Sequence, residues 1–545
     1  MKKNTCHILT ALVLCTALFA GCAAKTGSTD TAGVRPGQKG LPQEAGAPMM
    51  SLGGSASGDV LVESYASETE CYDAFFAPGP GETYEKAPEN GYFLTRTAPL
   101  STFSASVDTA SYTNVRRMIE NGYRLQDIPQ SAVRPEEFVN YFRYDLQGPA
   151  DGAVFGVTTQ MAPCPWNESH DLLFVGLATE AIDMSERPAS NLVFLVDVSG
   201  SMDDAGKLPL LVRSFNEMTA HLTQRDTVSI VTYANGVETV LAGASGDDTH
   251  AIHAAFDSLT ASGGTNGEGG IQRAYELAER YHIEGGINRV ILATDGDFNI
   301  GVSDPDTLQR LIEGKRASGT YLSVLGFGMG NYRDDMMERL SQYGNGNYAY
   351  IDSLLEARRV LVEEMGATLV TVADDVKLQI EFNPAYVSAY RLVGYENRML
   401  DAADFTDDTK DAAEIGAGHQ VVALYEIVRT ESEEAIDLRY GTQDGTDAGN
   451  AFDSEIAFLK IRCKAPGESA SREVTHVIDA DVYTDTPDDN FRLASAAAEF
   501  ALVLSGSAHR GDATLDTVLA HLGTPDAGDE YQIEFSYLVR RLSGR

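Results

Sequence analysis

Leu192-Val193-Phe194-Leu195-Val196-Asp197-Val198-Ser199-Gly200-Ser201 is the stretch whose reading decides the fold. Its first five residues are continuously apolar and rich in β-branched and aromatic side chains, as in a strand buried on both faces. The run stops abruptly at an acid, two serines and a glycine, which places those polar side chains in a loop at the strand's carboxyl end. Behind the loop, Leu208, Leu211, Val212, Phe215, Met218 and Leu222 recur at helical spacing, with Pro209 in the first turn. The alternation continues through TVSIVTYA (227–234), a helix from about Gly269 carrying Ile271, Ala274, Tyr275 and Ala278 on one face, NRVILATDG (288–296) and YLSVLGFG (321–328). Buried runs separated by amphipathic helices predict an α/β domain over residues 191–369, a doubly wound and mostly parallel sheet.

Open sheets of this kind bind their ligands beyond the carboxyl ends of the strands. Three polar groups fall there: Asp197, Ser199 and Ser201 after the first strand, Thr265 in the glycine-rich Gly263-Gly264-Thr265-Asn266 entering a helix, and Asp295 ending a later strand. Asp and Ser also make ordinary turns and helix caps, so D-x-S-x-S alone says little. Thr265 and Asp295, each ending the right kind of element, make the set specific. Hard oxygen donors without His or Cys suit Mg²⁺ best, with Mn²⁺ or Ca²⁺ as alternatives, and disfavour zinc or copper. Mg²⁺ retains waters readily, which leaves a position that an acidic side chain of a protein partner can take.

This five-residue set resembles the metal-ion-dependent adhesion site of von Willebrand factor A domains. The resemblance reaches further, through SASVDTASYTNVRR (104–117), VRPEEFVNYF (133–142), TDGDFNIG (294–301), YGNGNYAYID (343–352), the long segment 356–384, YRLVGYENR (390–398) and EIGAGHQVVALYEI (414–427). From about Asn90 to the C-terminus the chain is similar to a bacterial lipoprotein family called YfbK-like. That resemblance implies a characteristic segment before the A domain, a C-terminal domain of unknown function after it, and a metal site without a defined ligand.

The flanks read as two further modules. Residues 89–190 combine helix-spaced apolar residues (Val115, Met118 and Ile119; Phe138, Tyr141 and Phe142) with strand-like FGVTTQMAPCPW and DLLFVGLATEAI, a small mixed α/β module. Residues 370–545 alternate in VKLQIEFN, VVALYEIV and AFLKIRCK, which predicts a separate, mainly β domain. It ends in helical stretches from Phe491, Thr514 and Glu534.

At the N-terminus, two lysines precede an apolar run from Ile8 to Ala20. A run of about a dozen residues is a secretory signal over 1–21, since a membrane span needs roughly 20. Leu18-Phe19-Ala20-Gly21-Cys22 resembles a lipobox, with Phe19 where leucine is commoner; a plain secreted protein is the alternative. Lipidation of Cys22 predicts an extracytoplasmic protein anchored to the bacterial cell membrane or envelope, each buried methylene contributing about 0.8 kcal/mol. Residues 22–88, rich in Gly, Ser, Thr, Ala and Pro, read as a flexible tether. Of 6 cysteines, Cys71, Cys164 and Cys463 remain after the signal and Cys22, which spells no disulfide framework. With 41 basic against 80 acidic residues, the net charge of −39 argues against nucleic acid or an anionic membrane surface as partner.

Other signals carry less. His250 and His253 lie three apart on a helix without further His or Cys to complete a zinc site. GFGMGNY lacks the G-x-G-x-x-G spacing, so no nucleotide is expected. Asp203, Asp204, Asp297 and the acidic run 401–414 read as solvated loops. No G-x-S-x-G or H-E-x-x-H appears, and Ser199 and Ser201 read as ligands, not nucleophiles, so no enzyme is expected. Metal-dependent capture of a protein partner is the leading function. The alternatives are a structural or regulatory subunit of an envelope or ATPase-linked assembly, and Lewis-acid chemistry for which no base is evident.

Overall fold

The computed structural model describes residues 82–84, 87–150, 152–296, 305–316, 318–330, 332–410, 412–432 and 454–544. The signal segment, Cys22, nearly all of the tether, Cys71 and Asp297 lie outside them. In chain order the strands are β1 (Phe93–Leu94), β2 (Leu100–Ser104), β3 (Gly156–Pro163), β4 (Asp171–Ala178), β5 (Ser190–Asp197), β6 (Thr227–Tyr233), β7 (Val237–Ser245) and β8 (Ile287–Thr294). They continue as β9 (Thr320–Phe327), β10 (Tyr348–Ile351), β11 (Thr371–Phe382), β12 (Val387–Leu392), β13 (Ala413–Gly416), β14 (Gln420–Arg429), β15 (Glu455–Lys464) and β16 (Ser471–Asp479).

β5 is buried at every position, and the period-2 geometry of a strand explains why it is apolar throughout. Leu192, Phe194 and Val196 enter one core with Leu211, Phe215 and Met218 of the helix Leu208–Thr219. Val193 and Leu195 enter another with Ile271, Ala274 and Tyr275 of the helix Gly267–Arg280. The sheet runs β10-β9-β8-β5-β6-β7 and is parallel except for β7, an antiparallel edge. β7 alternates between exposed and half-buried residues with none fully buried, and this weak pattern is why the sequence did not announce it.

The flanking segments fold together. One antiparallel sheet has the order β1-β12-β14-β4-β3, and a second joins β13, β11, β15 and β16, with β2 also on β11. The two sheets face each other across a core that includes Phe103, Leu173, Val175, Leu378, Ile380, Tyr390, Tyr425 and Leu459. The opposite face of the first sheet, with Leu172, Phe174, Val422 and Leu424, is covered by helices Ala110–Glu120, Pro135–Val139, Asp489–Ser505 and Glu530–Leu542. The expectation of a separate C-terminal domain is therefore corrected: β4 pairs with β14 along its whole length, Ala178 opposite Gln420 and Asp171 opposite Ile427. β4 is buried at all eight positions, so its hairpin partner β3 cannot satisfy it alone; the second edge comes from β14, and each face is covered by residues of both flanks. Cys164 and Cys463 are buried free thiols. No described helix is long and apolar enough to cross a membrane.

Candidate metal centre

Asp197 is the last residue of the central strand and is fully buried. The backbone N–H of Ser199 donates to its Oδ1 at 2.8 Å and the Thr294 hydroxyl to its Oδ2 at 3.1 Å. Because β5 and β8 are adjacent and parallel, Val196 pairing with Ala293, the residues after them reach the same edge of the sheet. Ser199 precedes a single 3₁₀ turn, Gly200–Met202, pinned by Met202 in the core. In that turn the hydroxyls of Ser199 and Ser201 meet at 2.9 Å.

Two hydrogen bonds stitch the Thr265 loop to the chain at this turn, and a third ties it to the loop after β6. Gly200 N–H donates to the Gly263 carbonyl at 2.9 Å and Ser262 N–H to the Val198 carbonyl at 2.7 Å. Gly264 N–H donates to Asn235 Oδ1 at 2.7 Å. Gly263 has φ +85°, and a Cβ there would sit 2.5 Å from the Asn235 amide, so only glycine lets the loops approach this closely. Thr265, half-buried, follows directly, and Asn266 caps the helix behind it by accepting from Gly269 N–H. The chain thus brings all five expected residues to the carboxyl edge of one sheet.

Asp295 is fully buried, and the ammonium of Lys207 donates to its Oδ2 at 2.8 Å. Sequence reasoning passed over Lys207. A signal was present, because Lys207 is the N-cap of Leu208–Thr219, where a cation opposes the helix dipole and calls for a reason. Gly328, φ +74°, makes room for its stem: a Cβ there would lie 2.2 Å from Lys207 Cε. The Gly-Phe-Gly that imitates a phosphate loop is the passage for this lysine.

Burial pushes the Asp197 carboxyl up to about 6, the Asp295 charge adding to it against the hydrogen bonds from Ser199 and Thr294. Burial, with the charges of Asp197 and Asp295, pushes the Tyr233 hydroxyl well above its ordinary range. Two buried acids against one buried lysine leave an electrostatic demand for more positive charge. Among the described residues no three His, Cys, Asp or Glu side chains converge. A cation here would draw on hydroxyl oxygens for its remaining protein ligands, which is the chemistry that Ser199, Ser201 and Thr265 offer. The residues fit a hard divalent ion.

The far wall of the site is A-domain backbone braced by residues 82–83, so the last part of the segment read as a flexible tether is packed here. Gly296, φ +90°, packs so tightly on the 332–333 backbone that a Cβ would be 2.5 Å from Arg333 N. That backbone is held by Thr83, which donates to the Tyr332 carbonyl at 2.9 Å and accepts from Asp334 N–H at 3.2 Å. Glu82 accepts from Gly330 N–H at 2.8 Å and pairs with Arg117 at 3.0 Å.

Comparison with known proteins agrees with this architecture. Residues 192–297 match the von Willebrand factor type A domain, residues 79–174 a further von Willebrand factor model, and residues 367–544 the model described as the C-terminal part of the uncharacterized protein YfbK. A solved von Willebrand factor type A protein from Catenulispora acidiphila is 15% identical, covering 73% of this chain and 91% of that one at a TM-score of 0.39. Protein sll0103 of Synechocystis is 28% identical over 34% of this chain and 43% of its own length. Protein YfbK of Escherichia coli K12 is 40% identical over 471 residues, 85% of this chain and 81% of that one. With that identity running through the A domain and both flanks, the chain belongs to the YfbK family of von Willebrand factor A-domain proteins.

Proposed function

We propose that this protein is a surface-anchored binding module that captures an acidic group of a protein partner through a divalent cation, Mg²⁺ in the first instance, at Asp197, Ser199, Ser201, Thr265 and Asp295. The observation that carries the reading is the pair of fully buried acids at one sheet edge, with the two serine hydroxyls 2.9 Å apart beside them. When bound, the ion supplies a Lewis-acidic position with an exchangeable water, which a carboxylate can occupy. The chain's residues do the rest. Asp197 and Asp295 provide the negative charge, the 3₁₀ turn sets the serine oxygens, and Lys207 keeps Asp295 oriented. The Ser199 hydroxyl meets that of Ser201 while its backbone N–H donates to the Asp197 carboxylate, an arrangement suited to ligation more than to nucleophilic attack. Cys22, lipidated, is the proposed anchor holding the body outside the cytoplasm.

The test is proximity labelling on intact cells, comparing wild type with Ser199→Ala, each with and without a chelator. A set of partners lost in both the variant and the chelated wild type, and restored by Mg²⁺, supports the reading. An unchanged set refutes it. Absence of palmitate label on Cys22 would separately refute the anchor.

A further inference from the structure

Six large apolar side chains stand exposed among the described residues, and two of them belong to the A domain, Val237 at 36% and Met329 at 48%. A single exposed apolar residue is ordinary on a protein surface. What is not ordinary is that both stand on the edge of the sheet that carries the candidate metal centre, on opposite sides of it. Met329 follows β9, whose Gly326 pairs with Thr294, the residue before Asp295. Val237 opens β7 opposite Tyr233, the last residue of β6. Along the order β9-β8-β5-β6-β7, Met329 therefore comes before Asp295 and Asp197, and Val237 comes after them.

Both residues are held in place by their backbones while their side chains face out. On either side of Met329, the Gly328 carbonyl accepts from the Tyr350 hydroxyl and Gly330 N–H donates to Glu82 at 2.8 Å. The Asn121 amide reaches the Met329 sulfur at 3.9 Å, so the first flank also touches this side chain. Val237 stands at the end of a turn closed by Ala234 N–H on the Gly236 carbonyl at 2.9 Å, and it lies against Gly269, where a Cβ would be 3.0 Å from its Cγ2. The ground between Val237 and Thr265 includes the exposed glycines Gly236, Gly263 and Gly264, whose bare backbone lets another chain come close.

Resting on the metal-dependent reading of this site, we propose that Met329 and Val237 are the two apolar anchors of a partner's extended segment, which lies across the sheet edge with its acid at the metal centre and an apolar side chain on each anchor. The spacing follows from the sheet. With neighbouring strands about 4.8 Å apart, the midpoint of β8 and β5 lies about 7 Å from the line of β9 and about 12 Å from that of β7. An extended chain rises about 3.3 Å per residue, so it reaches Met329 about two residues from the acid and Val237 about four residues from it on the other side. Both intervals are even, which puts the acid and the two apolar side chains on one face of the segment. The unbranched, polarizable methionine adapts to more than one apolar group, whereas the stiff valine favours a close fit.

A displayed peptide library, with glutamate fixed at the centre and about five positions randomised on either side so that both anchors are passed, tests this by selection on the full chain in Mg²⁺. Wild type is expected to enrich apolar residues at the nearer position on one side of the glutamate and the farther position on the other. Met329→Ser should abolish the nearer preference alone and Val237→Ser the farther one alone, each raising the Kd of the selected peptides about tenfold. Both side chains are exposed, so the variants keep the fold, and Mn²⁺ binding equal to that of wild type verifies an intact metal centre. Peptides without an apolar preference at these positions, or bound as tightly by the double variant as by wild type, overturn the proposal and leave the metal reading standing, as does a library from which nothing is enriched. Peptides whose capture survives a chelator, Asp197→Ala or exchange of their glutamate for glutamine refute the metal reading itself, and with it the acid placed between the anchors.

Discussion

Lys207→Met separates the charge of the lysine beside the candidate metal centre from its packing. Methionine keeps an unbranched stem in the passage beside Gly328, while the ammonium that donates to Asp295 Oδ2 at 2.8 Å disappears. The lysine side chain is 7% exposed and the Asp295 side chain 0%, so the pair is buried. Breaking such a pair from one side leaves an uncompensated charge and costs about 3–5 kcal/mol. In chelator, Lys207→Met should therefore unfold at markedly lower urea than wild type. Metal affinity should move the other way, because a positive charge leaves a site for cations. Taking the ammonium roughly 6 Å from a divalent ion and screening it fully to the dielectric of water gives about 1.4 kcal/mol, so the gain is at least about tenfold. Urea melts with and without Mg²⁺, together with Mn²⁺ titration, read both effects. A variant as stable as wild type in chelator refutes the role of countercharge, and an unchanged or weaker Mn²⁺ affinity refutes the electrostatic argument for the site.

Further outcomes follow from other contacts. Arg116, 1% exposed, pairs with Asp352, Glu356 and Glu534 and so ties the first flank, the A domain and the last helix together. Arg116→Met should lower stability by about 3–5 kcal/mol and expose the C-terminal helix to early cleavage in limited proteolysis. Glu426 would be raised by burial, but the hydrogen bond from His170 and the charge of Arg391 bring it down to about 2. A folded value below the ordinary 4.5 means stability that is present above pH 4.5 and lost as pH falls toward 2, on the order of 3 kcal/mol. Trp166, the one tryptophan of the chain, donates to Glu426 at 3.3 Å, so its fluorescence should report that loss and Glu426→Gln should flatten the acid limb. Gly296→Ala would place a Cβ 2.5 Å from Arg333 N at φ +90°, and should weaken Mn²⁺ binding at least tenfold while the circular dichroism spectrum stays that of wild type.

What the sequence makes legible and what it hides divide along a physical line. The A domain is readable because its signals are local: each buried strand is one continuous run, and each site residue falls just after such a run or, for Thr265, just before a helix. The pairing of β4 with β14 is not readable, because the apolar pattern of Leu172–Leu177 says that a partner is needed and not that it lies about 250 residues away. Phe138, Tyr141 and Phe142 look like one helical face, yet the helix stops at Val139. There the Asn140 side chain donates to the Glu136 carbonyl at 2.9 Å and accepts from Val422 N–H at 2.7 Å, so a strand from the other flank ends the helix. That Lys207 reaches Asp295, and that Glu136 Oε2 is left without a hydrogen-bond partner, are hidden for the same reason. Each depends on the distance between segments that no periodicity records.

That division bears on where the stiffness of the candidate metal centre originates. Ser199, Ser201 and Thr265 are set by loops stitched to each other within the A domain. Asp295 sits in a different situation, since the turn after it rests on the backbone of Tyr332 and Arg333, and that backbone is clamped by Thr83. Asp334, next in line, receives Arg134 at 2.6 Å and the Tyr348 hydroxyl at 2.7 Å. Asp197 is thus held by the A domain alone, whereas Asp295, beside Lys207, is followed by a turn braced by Thr83, before the first flank, and through Asp334 by Arg134 within it. The first flank in turn is knitted to the second through β4 and β14. The flanks therefore brace the sheet edge that carries the candidate metal centre, from outside the fold that supplies its five residues.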